Sequence, residues 1–256
     1  MQILHSQIVG EGKPLLILHG FLGMADNWRT MALRFAEKGF QVHTIDARNH
    51  GHSFHSDEFS YEIMATDLLR YMDFHNIEKA SIIGHSMGGK TTMLFAVKNP
   101  SRAEKIVIVD ISPKNYPVHH QVIIDSLSSV DFSQQKTRGE VDKQISKFIL
   151  DAGVRQFLLK NLYWVKEGQL GFRMNLPVLR NNLVEIGKAL PEGTIFNGET
   201  LFLSGEKSSY IKEEDKELIF KHFPNSIIEK VHSGHWIQAE NPTEFFEKTI
   251  HFLTKK

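Results

Sequence analysis

The sequence predicts an α/β protein with a mostly parallel central sheet flanked by helices, interrupted by a helical insertion. Two continuous apolar runs, Leu15-Leu16-Ile17-Leu18 and Ile106-Val107-Ile108-Val109, read as strands buried on both faces rather than one. Strand and helix patterns alternate up to Asp110 and again after Asn197, the order of crossover units in a parallel sheet. Between them the periodicity is mainly helical. The division is therefore a core of residues 1–112 and 198–256 and a helical cap of residues 113–197.

Each element has a local reason. Gln2–Val9 is the first strand, turning at Gly10–Pro14, and Leu15–Leu18 is the second. Asp26 or Asn27 caps a helix through Lys38, with Gly39 beyond its end. Val42–Asp46 is a strand and Ala47–Phe59 a polar loop. Ser60 caps a helix with Ile63, Met64, Leu68 and Met72 on its apolar face. Ala80–Ile83 is a strand, Gly88–Lys98 a helix stopped by Pro100, and Ile106–Asp110 a strand. In the insertion, Val118, Val122, Ile123 and Leu127 share one helical face, and Thr137 with Glu140 forms a capping box before Val141, Ile145, Phe148 and Ile149. Val154, Phe157, Leu158 and Leu162 form the next face. Leu179, Leu183, Ile186 and Leu190 form a last helix between Pro177 and Pro191. The core resumes with the strand Thr200–Gly205, a helix over Glu213–His222, the strand Ser226–Val231 and a helix from Pro242.

Composition narrows the function. The 256 residues carry 30 basic and 30 acidic side chains, a balance that gives no sign of a nucleic-acid partner. With no cysteine there is neither a disulfide framework nor a thiol nucleophile. No apolar run reaches the ~18 residues of a membrane span, and no leader pattern opens the chain. The expectation is a cytoplasmic protein, monomer or homodimer.

The chemistry centres on Ser81-Ile82-Ile83-Gly84-His85-Ser86-Met87-Gly88-Gly89-Lys90-Thr91. A buried strand ends in Gly84-x-Ser86-x-Gly88 and a helix starts at once, the context of a nucleophile elbow. The same letters fit G-x-x-x-x-G-K-[ST], a phosphate-binding loop with Lys90 on phosphate and Thr91 on Mg²⁺. That alternative leaves His19-Gly20 and Gly234-His235 without a role. A serine nucleophile needs a base, and His235 lies in a loop between the last predicted strand and the last helix, with His232 as its nearest rival. A developing oxyanion needs fixed N–H donors. Met87 supplies one, next to the nucleophile, and Phe21, after the second strand, the other. His50-x-His52-x-x-His55 is a histidine-rich loop with no further ligand at suitable spacing, so no metal or cofactor is expected.

Taken together, His19-Gly20-Phe21-Leu22-Gly23, Asp46-x-Arg48-x-His50-Gly51-x-Ser53, Gly84-His85-Ser86-Met87-Gly88-Gly89 and Ser233-Gly234-His235 occur in the order of the α/β-hydrolases. The chain resembles small bacterial esterases of the YbfF type. The resemblance implies an eight-stranded or slightly reduced sheet, a helical cap after the sixth strand, and ester or thioester hydrolysis by a Ser-His-Asp triad. One position departs. Where most of the superfamily has aspartate after the Leu201–Ser204 strand, this chain has Gly205-Glu206-Lys207-Ser208. Asp110, which ends the strand after the elbow, is the favoured acid and Glu206 the alternative; Asp46 is read as structural. Leu22, Phe157, Leu158, Trp164 and Trp236 are candidates for an apolar acyl pocket for a small ester or thioester. A C–C bond hydrolase and a non-enzymatic ligand sensor are the remaining readings on the same scaffold.

Overall fold

The computed structural model describes residues 2–118 and 120–255; Met1, His119 and Lys256, which fall within the core and cap read above, lie outside the described residues. The first half forms β1 (Ser6–Val9), β2 (Lys13–Leu18), α1 (Arg29–Ala36), β3 (Phe40–Ile45), α2 (Tyr61–Phe74), β4 (Ala80–His85), α3 (Met87–Lys98) and β5 (Ala103–Val109). The insertion carries α4 (Gln121–Ser128), α5 (Arg138–Ile145), α6 (Ala152–Leu159), β6 (Leu162–Lys166), β7 (Gln169–Phe172), α7 (Leu176–Asn181) and α8 (Leu183–Gly187). The core closes with β8 (Glu199–Gly205), α9 (Lys216–His222), β9 (Ser226–Val231), α10 (Ile237–Glu240) and α11 (Pro242–Thr254).

Seven strands make one sheet in the order β1-β3-β2-β4-β5-β8-β9. Only β1 runs antiparallel; the other pairings are parallel. The insertion thus follows the fifth strand rather than a sixth, because this sheet has one strand fewer than the eight-stranded form. Alternation along the strands explains the unbroken apolar runs. Leu16, Ile82, Ile106, Ile108 and Phe202 pack into the core on one face, and Leu15, Ile17, Ile83, Val107, Val109, Leu201 and Leu203 into the core on the other. Each such aliphatic side chain, fully buried, contributes about 1.5–3 kcal/mol. A polar residue on either face would forfeit that.

The cap departs from the sequence reading in four places, one of them Phe148, which lies exposed beyond the end of α5. Leu162 opens an antiparallel hairpin, β6–β7, instead of continuing a helix. Tyr163-Trp164-Val165 favours strand, and Gly168 at φ 71° makes the turn. The last predicted helix is broken into α7 and α8 at Asn182, whose φ of −116° is not helical. Val118 and Val122 are exposed; Leu127 is buried as its spacing predicts, joined by Ile124. The caps on Ser60 and on Thr137 with Glu140 are formed as their spacing predicts.

Lys90 and Thr91 sit inside α3, on buried faces. Lys90 Nζ donates to the backbone carbonyls of Lys114 and Lys188, tying the start and end of the insertion to α3. Burial lowers its pKa to about 7. Thr91 Oγ1 donates to Met87 O at 3.0 Å. Both groups of the phosphate-loop alternative are thus consumed inside the protein.

Candidate active site

Ser86 stands between β4 and α3 with φ 53° and ψ −114°, a backbone conformation that costs a non-glycine residue of order 1–3 kcal/mol. Two close approaches hold it. A Cβ at Gly84 would lie 2.3 Å from Gly88 O, and one at Gly88 would lie 2.4 Å from Leu18 O. The helix therefore packs directly on strand backbone, and the chain must turn sharply at Ser86. Ser86 N donates to Val109 O at 3.0 Å.

On the neighbouring strand, at the same end of the sheet, Asp110 repeats the device. It ends β5 at φ 50°, fully buried, with its N–H on Leu203 O at 2.8 Å. Its carboxylate takes three donors. His235 Nδ1 stands 2.8 Å from Oδ2, Gly205 N donates to Oδ1 at 2.9 Å, and Ser208 Oγ donates to Oδ2. The serine found where aspartate was expected is therefore a hydrogen-bond donor to the aspartate one strand over. With Nδ1–H on Asp110, Nε2 of His235 is left as the basic nitrogen. Tyr210 stacks on that imidazole at 3.9 Å between centroids and 15° between planes. His85, a further contact, donates Nε2–H to His235 O at 2.9 Å. Burial pushes the His85 pKa well down, so it acts as a neutral donor. Among the described residues no hydrogen bond joins Ser86 Oγ to His235; such contacts commonly tighten only around substrate.

The two rivals from the sequence pair with each other. Glu206 Oε2 lies 2.8 Å from His232 Nδ1 in an exposed pair. Ser208→Ala should lower turnover about 10- to 100-fold, the worth of one hydrogen bond to a buried charge of about 1.5–3 kcal/mol. Steady-state kinetics of the variant on an ester check this, with Ser208→Thr expected to recover part of the loss.

The loop after β2 is held from several sides. Leu22 sits at φ 60°, which is costly for a branched side chain. Its N–H reaches His50 Nε2 at 3.2 Å, and its C=O accepts from Asn161 Nδ2 of the cap at 2.9 Å. His50 donates Nδ1–H to Arg48 O, and burial lowers its pKa to about 3. His19 donates to Gly20 O at 2.7 Å and accepts from Ala47 N at 3.0 Å, with its pKa likewise lowered by burial. Both imidazoles are neutral spacers between the two loops. Arg48 in turn makes a two-point buried ion pair with Asp67 of α2. Phe21 N–H makes no hydrogen bond among the described residues, and Met87 N–H opens α3, where no intrahelical carbonyl can reach it. Both are free to bind an anion.

Ser86, His235 and Phe21 face one cleft of about 220 Å³, which Leu22, Phe157, Leu158 and Trp236 also line. Trp164 does not belong to it. It lies on the β6–β7 hairpin, 59% exposed, because the hairpin turns that residue outward.

A family model described as the alpha/beta hydrolase fold matches residues 13–157. The chain belongs to the α/β-hydrolase family. It is 38% identical to an sn-1-specific diacylglycerol lipase ABHD11 of Danio rerio, over 95% of this chain and 79% of that one. It is 37% identical to a putative esterase/lipase of Haemophilus influenzae, over 94% and 83%. A solved marine microorganism esterase, 38% identical, superposes with a TM-score of 0.95 over 98% of this chain and 100% of that one.

Within this α/β-hydrolase, sequence reasoning missed Tyr210, Asn161 and the donor role of Ser208. None carries a local signal, since each acts across the fold on a residue far away in the chain. The histidine-rich loop does not converge on one point: His50 turns inward to Leu22, and His55 Nε2–H donates to Arg173 O at 2.9 Å. Among the described residues no helix is long and apolar enough to cross a membrane.

Proposed function

We propose that this chain is a serine hydrolase that cleaves carboxylic esters with a small apolar acyl group through an acyl-enzyme on Ser86. The observation that carries the reading is the 2.8 Å contact of the buried Asp110 with His235, which faces the same cleft as a strained Ser86. The similar proteins, a diacylglycerol lipase and an esterase by name, agree with it. In the proposed cycle His235 Nε2 takes the Ser86 proton as Oγ attacks the ester carbonyl. The N–H groups of Phe21 and Met87 hold the oxyanion. His235 then protonates the leaving alkoxide, and the acyl-enzyme is released when the same nitrogen deprotonates water. Asp110 holds the tautomer and stabilises the imidazolium. Thioesters carry the same electrophilic carbonyl and fit the same steps.

Substrate size follows from the cleft. A space of about 220 Å³ lies below the ~300–1,000 Å³ of pockets for larger ligands. Ile123, Val154, Phe157 and Leu158 give it an apolar wall. A panel of p-nitrophenyl esters and acyl-CoA thioesters tests the proposal. Acetate and butyrate esters should turn over faster than palmitate. Activity on no ester or thioester would move the assignment to C–C bond hydrolysis or ligand sensing.

A further inference from the structure

We propose that His5, Asp46 and His52 form a binding site for a divalent first-row transition metal such as Zn²⁺, separate from the hydrolytic centre. One ligand atom from each of the three lies within 4.8 Å of the other two. His5 Nδ1 stands 2.9 Å and His52 Nδ1 3.6 Å from Asp46 Oδ2. Around a tetrahedral ion with bonds of about 2.0–2.2 Å, ligand atoms sit roughly 3.3–3.6 Å apart. The two carboxylate–imidazole separations already bracket that spacing, and the remaining adjustment is rotation of two rings. Both rings can turn, since the side chains of His5 and His52 are 40% and 46% exposed. The same exposure gives an ion its path from solvent.

The donor set selects the metal. Two imidazoles and one carboxylate suit Zn²⁺, Co²⁺ or Ni²⁺, whereas Mg²⁺ and Ca²⁺ take oxygen ligands. Three protein ligands leave a fourth position to water. The carboxylate is oriented before any ion arrives: Ala25 N donates to Oδ1 at 2.6 Å and His52 N to Oδ2 at 2.9 Å. Such outer hydrogen bonds fix a ligand for its metal. Gly51, at φ 54°, is required for this packing, because a Cβ there would lie 2.3 Å from the Asp46 carboxyl carbon. The Arg173 charge, which acts on His52, opposes a dication and keeps the affinity below that of a four-ligand site. A bound ion would clamp the segment before β1 to the loop of residues 46–53, the loop that also carries His50.

Calorimetric titration of the EDTA-treated, untagged full chain with ZnCl₂ tests the site, with thermal unfolding as a second readout. The expected result is one Zn²⁺ per chain with a raised Tm. His5→Gln and His52→Gln should each weaken Kd more than about tenfold, a loss that even an outer partner of a metal site produces. His55→Gln, in the same loop, should leave Kd unchanged. Circular dichroism in EDTA separates loss of a ligand from loss of fold, and if one variant unfolds the other decides. No saturable binding overturns the proposal. Binding that survives both His5→Gln and His52→Gln also overturns it, and places the ion among others of the fourteen histidines.

Discussion

Ser86→Ala is expected to lower ester turnover on the order of a million-fold, the scale seen when the nucleophile of a serine hydrolase is removed. The fold should survive it. The substitution keeps Cβ and the backbone, so the strained φ of 53° is neither relieved nor worsened. The Ser86 hydroxyl makes no capping hydrogen bond to α3 that would be lost. What remains after the change is substrate binding and the two N–H donors, which together retain roughly 10³–10⁴-fold acceleration over water. A variant with an unchanged Tm and only a tenfold loss of turnover would mean that Ser86 is not the attacking group.

Asp110→Asn is expected to cost about 10⁴-fold in turnover, for a reason that the local hydrogen bonds make explicit. The carboxylate accepts from Gly205 N on one oxygen and from Ser208 Oγ and His235 Nδ1 on the other. An amide has one acceptor oxygen only. If that oxygen stays on Gly205 N–H, the NH₂ faces His235 and forces Nδ1 to accept, moving the ring proton to Nε2, where a base is needed. If the amide flips, its NH₂ meets the Gly205 N–H and a buried donor is left unpaired. Backbone strain does not confuse the result, because asparagine tolerates the left-handed φ of 50° better than most residues. Glu206→Gln is the control. Its exposed pair with His232 is worth about 0–1 kcal/mol and touches no atom of the site. Steady-state kinetics decide: near-normal turnover in Asp110→Asn with loss in Glu206→Gln would reverse the assignment of the acid.

The core was legible because its signals are local. Leu15–Leu18 and Ile106–Val109 must lie in strands buried on both sides, and Gly84 and Gly88 stand where the backbone admits no Cβ. The cap was read less well. Apolar residues in Leu162–Phe172 fit helical spacing and strand alternation alike, and the turn at Gly168 decided for the hairpin. Trp164 reads as a pocket residue by its chemistry alone; only its place on that hairpin turns it to solvent. In the site, Ser86, Asp110 and His235 each end or follow a strand, so topology brings them to one edge of the sheet. Ser208 was noticed as a departure, yet its bond to Asp110 could not be read, because the contact depends on β5 and β8 being neighbours. The same limit kept the approach of His5 and His52 to Asp46 from being read along the chain.

The most direct test of the central claim is covalent labelling with a fluorophosphonate, whose phosphorus is attacked by an activated serine. Peptide mapping by mass spectrometry reads the site of attachment. The account predicts one phosphonyl group per chain, on Ser86, absent in Ser86→Ala and much slower to form in Asp110→Asn. An unlabelled chain that still hydrolyses esters, or a label on any other residue, would contradict it.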